Sequence, residues 1–137
     1  MVKRVNRYTS NEFHDWQRKN LPGHFVIQDL DTWAMVISDS ADKYEPLFLV
    51  ELKRSYIEPA RWTPFLQDLP NYTALFKLSK RAELPLITIY FQKDKIITDD
   101  SEIAIFHIKD VNTAISYDKK IITAKELREG FPDIIIR

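Results

Sequence analysis

Short apolar blocks alternate along the chain with polar, turn-forming stretches. His24–Ser38 (HFVIQDLDTWAMVIS) and Leu47–Ser55 (LFLVELKRS) are rich in Val, Ile, Leu, Phe and Trp, and both predict strands. The polar stretch Ser38–Pro46 between them predicts the turn of a hairpin. Leu84–Gln92 (LPLITIYFQ) is nearly all apolar, which predicts a strand buried on both faces at the centre of a mixed sheet. Lys93-Asp94-Lys95 reads as a turn, Ile103–Ile108 as a further strand and Ala114–Tyr117 as a short one.

Three helices are expected. Thr9 with Glu12 fits a capping box, and Phe13 and Trp16 form an apolar stripe, so a helix is predicted over about 10–19, closed by Leu21-Pro22-Gly23. Thr63 as N-cap and Pro64 in the first turn open a second helix that runs to Ala82. Its apolar positions Leu66, Leu69, Tyr72 and Phe76 keep a helical period, with Lys77, Lys80 and Arg81 on the other side. Pro70 lies inside this run and predicts a kink or two short helices. Thr123 with Glu126 marks a third helix over Ala124–Glu129, with Gly130 as its C-cap. The order helix, hairpin, helix, strand, strand, helix gives an α/β fold: a mixed central β-sheet flanked by helices, in a single domain over 1–137.

Composition removes several classes. The 45% hydrophobic and 29% charged residues make a soluble globular balance. With no cysteine, disulfide frameworks and Cys-based zinc sites are excluded. Only Gly23 and Gly130 are glycines, so no Gly-rich phosphate loop exists. Lys and Arg (20) balance Asp and Glu (20), which disfavours a basic nucleic-acid coat protein. No apolar run suits a membrane span or a signal peptide, so the expected location is cytoplasmic. His14 is expected to be a partly exposed helix side chain, His107 a structural histidine, and the acidic loop Asp99-Asp100-Ser101-Glu102 solvated charge.

The hairpin carries the candidate chemistry. Strand alternation places Asp29, Asp31, Trp33, Met35 and Ile37 on one face of the first strand, and Leu47, Leu49, Glu51 and Lys53 on one face of the second. Without a bulge, folding about position 41 pairs Asp31 with Glu51 and Asp29 with Lys53. Folding about position 42 pairs Asp31 with Lys53. Asp31 neighbours the Glu-Leu-Lys segment in either register, so it is the leading acid and Asp29 the auxiliary one. Acids gathered at the end of an apolar face are costly to bury, and a divalent cation offsets their repulsion.

Asp31, nineteen intervening residues and Glu51-Leu52-Lys53 within an apolar strand together resemble the PD-(D/E)xK nuclease superfamily. The proline that names the motif is absent here; Gln28 and Leu30 precede the two aspartates. The resemblance covers roughly residues 9–108. It implies a restriction-endonuclease-like core and Mg²⁺- or Mn²⁺-dependent hydrolysis of DNA phosphodiester bonds. It also implies a metal held by Asp31, Glu51 and the Leu52 carbonyl, with Lys53 positioning or activating the attacking water. Glu12 stands where such nucleases often carry a helical glutamate ahead of the motif. Gln67 and Tyr72 resemble the Gln and Tyr that RecB-like nucleases carry on the following helix, but are five apart rather than four. Arg54, Arg61, Lys77, Lys80 and Arg81 are candidate DNA-phosphate contacts. The rival expectations are a catalytically inactive nuclease-like module binding nucleic acid or a protein, and a small assembly protein that forms a homodimer through Ile134-Ile135-Ile136.

Overall fold

The computed structural model describes residues 46–130 with their side chains, the backbone of Thr32–Ile37 and Tyr44–Glu45, and Trp16, Lys19, Asn20, Pro22 and Leu30. The expected residues Glu12, His14, Asp29, Asp31 and Ile134–Ile136 lie outside this set. Trp16, Lys19 and Asn20 are helical, in agreement with a helix near this point. The elements that follow are β1 (Thr32–Ile37), β2 (Tyr44–Ser55), a 3-10 turn (Leu66–Asp68), α1 (Leu69–Ala82), β3 (Leu86–Gln92), β4 (Glu102–Val111), β5 (Ile115–Thr123) and α2 (Ala124–Gly130). Among the described residues, no helix is long and apolar enough to cross a membrane.

The strands form one mixed sheet in the order β1-β2-β3-β4-β5. β2 and β3 are parallel and joined through α1, whereas every other neighbouring pair is antiparallel. Alternation along the strands separates two cores. Leu49, Leu86, Tyr90, Ala104, Phe106 and Ile108 pack with Tyr72 and Leu75 of α1 and with Trp62. Phe48, Val50, Ile87, Ile103 and Ile105 form the opposite face with Ile122, and Ala124 and Leu127 of α2 pack on it. A helix on each face explains why Phe48–Glu51 and Leu86–Thr88 are buried without a break.

Four details differ from the sequence expectation. First, β2 begins at Tyr44 rather than Leu47, and the hairpin is bulged. Ala34 faces Phe48 but Met35 faces Pro46, so Leu47 is the extra residue. A proline is tolerated in a strand at such an irregularity. Second, Thr63 and Pro64 are not helical; α1 starts at Leu69, and Pro70 sits in its first turn. The first four N–H groups of a helix lack an internal partner, so Pro70 removes nothing there and α1 is one continuous helix. Third, the short strand expected at Ala114–Tyr117 extends to Thr123. Its middle, Asp118-Lys119-Lys120, is polar because β5 is an edge strand. Fourth, Gly130 is the last residue of α2 and has no positive φ. The capping box of α2 forms as expected: the Glu126 N–H donates to Thr123 Oγ1 and the Thr123 N–H to Glu126 Oε1, both at 3.1 Å.

Candidate functional site

Glu51 and Lys53 leave β2 toward the α1 side of the sheet, because residues two apart in a strand share a face. Leu52, between them, is on the other face and 40% exposed. β2 is sandwiched at Glu51 but opens toward its C-terminal end, so burial falls from Glu51 (7% exposed) to Ser55. The pair therefore lies where the covered core gives way to solvent.

Lys53 Nζ lies 3.4 Å from Glu51 Oε1 and 2.5 Å from Asp68 Oδ2. Asp68 is the N-cap position of α1, yet its side chain caps no backbone N–H, since its carboxylate is turned to the lysine. Tyr72 is one helical turn further along α1, and Lys53 Nζ stands 5.9 Å from the centroid of its ring. The fully buried Tyr72 hydroxyl shares a 2.8 Å hydrogen bond with Thr88 Oγ1, and Thr88 is the β3 neighbour of Glu51. Two carboxylates, one ammonium and one phenol thus come from three elements to one place.

These contacts set the protonation states. Burial pulls the Lys53 ammonium toward a lower pKa, but the hydrogen bond it donates to Asp68 and the charges of Glu51 and Asp68 outweigh it. Its pKa ends above the usual lysine value, so it is a cation at neutral pH. Burial drives the Tyr72 phenol well above the usual tyrosine range, with a smaller opposing effect from its bond to Thr88. Tyr72 is therefore a fixed neutral group rather than an acid or a base.

An open cleft of about 320 Å³ adjoins these groups, lined by Lys53, Arg54, Trp62, Phe65, Gln67 and Asp68. Gln67 is exposed on the 3-10 turn next to Asp68, and Arg54 is an exposed cation beside Lys53. Arg61 is exposed next to Trp62. Lys77, Lys80 and Arg81 belong to the last turns of α1. At 1.5 Å per residue they stand roughly 14–20 Å along the helix axis from Asp68, away from the cleft.

The structure thus places Lys53, Arg54 and Gln67 on one cleft, with Glu51 behind Lys53, and separates the α1 cations from it. Asp68 was not foreseen. The available signal was its place four residues before Tyr72, which puts both on one helical face. His107 is half-buried on β4, and burial followed by the charge of Lys109 lowers its pKa, consistent with a structural role. In the acidic loop, Asp99 pairs with Arg128 of α2 at 2.7 Å, so part of that loop's charge holds α2 in place.

The register Thr32↔Val50 corresponds to folding about position 41 next to the site, and the bulge at Leu47 lies beyond it. Glu51 and the Leu52 carbonyl are hard oxygen donors of the type that Mg²⁺ and Mn²⁺ favour. Among the described residues, no three His, Cys, Asp or Glu side chains stand together as a metal-holding group. The chain has no significant match to any protein-family profile, curated protein or solved structure.

Proposed function

We propose that this protein is a metal-dependent nuclease that hydrolyses DNA phosphodiester bonds on a restriction-endonuclease-like core. The observation that carries the reading is the Glu51–Lys53 pair. Both groups stand on one face of a buried strand, 3.4 Å apart, at the edge of an open cleft. The hairpin supports it, since β1 runs antiparallel to β2 and begins opposite Val50, next to Glu51.

In this reading Glu51, the Leu52 carbonyl and Asp31 would hold Mg²⁺ or Mn²⁺. When bound, the ion neutralises charge on the scissile phosphate and makes hydroxide from water accessible near neutral pH. Lys53 is protonated, so it works as a hydrogen-bond donor. It orients the attacking water or stabilises charge on a phosphate oxygen; the water's proton passes to bulk solvent, and the sugar oxygen released as its P–O bond breaks takes up a proton from solvent. Asp68 positions the ammonium. Asp29 and Glu12 are auxiliary acids of the same proposal. Incubation with labelled linear, circular and branched DNA tests it. Cleavage is expected with Mg²⁺ or Mn²⁺ and not with chelator; intact DNA under all conditions would refute it.

One observation favours a second reading, an inactive nuclease-like module. Asp68 holds Lys53 more closely than Glu51 does, so the lysine already has a structural partner. In that case Mn²⁺ would leave thermal stability unchanged, whereas a native metal site raises it by mass action.

A further inference from the structure

We propose that the cleft beside Lys53 receives a single unpaired nucleotide, its base lying against Phe65 and its phosphate facing Lys53 and Arg54. The proposal takes its ligand class, nucleic acid, from the nuclease reading, and narrows it to single strands and unpaired ends. Phe65 is 48% exposed on the wall of the cleft, but it is not a loose surface residue. Its ring packs edge-on against Trp62 with centroids 5.7 Å apart. Trp62, only 3% exposed, stacks in turn on Tyr90 at 4.3 Å and an interplanar angle of 12°. The Tyr90 hydroxyl donates to the Ile57 carbonyl at 2.6 Å and lies 2.6 Å from Ser55 Oγ. Lys119 reaches from β5 to the Trp62 carbonyl at 2.8 Å and fixes the same loop from the other side. Phe65 is thus the outermost member of an aromatic stack anchored in the core.

The stack is tied to the chemistry by one turn. The Asp68 N–H donates to the Phe65 carbonyl at 3.0 Å, so the ring and the carboxylate that grips Lys53 project from opposite ends of the same 3-10 turn. A half-exposed, rigid ring offers a surface for a base, and stacking of this kind is sequence-tolerant because every base has a π-face. The neighbouring cations suit a phosphate, and the exposed Gln67 amide can donate to or accept from a base edge. At about 320 Å³ the cleft is at the small end of ligand sites, about 300–1,000 Å³, which fits one nucleotide rather than a duplex. A base inside a duplex is stacked on both sides and has no face to offer, so the ring selects unpaired bases.

The test is binding, measured apart from cleavage. Anisotropy of a short labelled oligothymidine and of a blunt two-stranded duplex without a loop is followed with Ca²⁺ and with chelator, for wild type, Phe65→Leu and Phe65→Tyr. Wild type should prefer the single strand in at least one of the two conditions. Phe65→Leu, which keeps an apolar side chain but no ring, should weaken oligothymidine binding about fivefold or more, while Phe65→Tyr stays within about twofold of wild type. Duplex affinity should be the same in all three. Equal or tighter wild-type binding of the duplex, no binding of oligothymidine, or indifference to Phe65→Leu in a folded variant would overturn the proposal. The wild-type preference decides even if the leucine variant does not fold. Ring-dependent binding without Mn²⁺-dependent cleavage would support the stacking site and end the nuclease reading. Cleavage with ring-independent binding would do the reverse.

Discussion

Lys53 and Tyr72 tie the site to pH. Both have folded-state pKa values above their unfolded ones, so the stability they contribute is fully present below pH 10 and declines as pH rises past it. Alkaline melts should therefore show Tm falling from about pH 10 upward, and Tyr72→Phe should make that limb shallower. At neutral pH the same substitution should cost about 1–3 kcal/mol, because Thr88 loses its buried partner. Asp68→Asn removes the shortest contact to Lys53. Under the proposed mechanism it should move the alkaline limb of the cleavage profile to lower pH, with little loss at neutral pH. An unmoved limb would mean that Asp68 does not position the lysine. Glu51 and Lys53 were legible in sequence because a charged pair spaced by two in an apolar strand is conspicuous. Asp68 was not, because its relation to Lys53 crosses from the 3-10 turn to β2, and its four-residue spacing to Tyr72 says nothing of the lysine.

Among the elements, β3 and β4 were read well because burial on both faces makes them continuous apolar runs. β5 was cut short in the reading because an edge strand interleaves lysines with its apolar positions. The start of α1 was misplaced for a physical reason. Thr63-Pro64 has the chemistry of a helix start, but the Trp62 stack holds this segment outside the helix, and Phe65 is extended. The placement of Pro70 has a measurable consequence. Pro70→Ala should change stability by less than about 1 kcal/mol, whereas relief of a proline in a helix interior would raise it by about 3 kcal/mol. Urea unfolding separates the two. Thr123→Ala should cost about 1 kcal/mol through loss of the α2 capping box. No loss would show that α2 is held by Ala124 and Leu127 packing alone.

At the scale of the molecule, the sheet brings the chemistry to one end of β2, while Lys77, Lys80 and Arg81 stand along α1. Arg54→Gln should lower the salt slope of single-strand binding by about 0.7 if Arg54 meets one phosphate. Neutralising Lys77, Lys80 and Arg81 should lower it only for DNA long enough to span the roughly 14–20 Å from the cleft. The central claim is that Glu51 and Lys53 form a hydrolytic centre. Its most direct test is cleavage of labelled DNA with Mn²⁺ by wild type, Glu51→Ala and Lys53→Ala, each first shown to be folded by its melting transition. The account predicts cleavage by wild type that chelator stops and that both variants lack. Cleavage at the wild-type rate by both folded variants would contradict it.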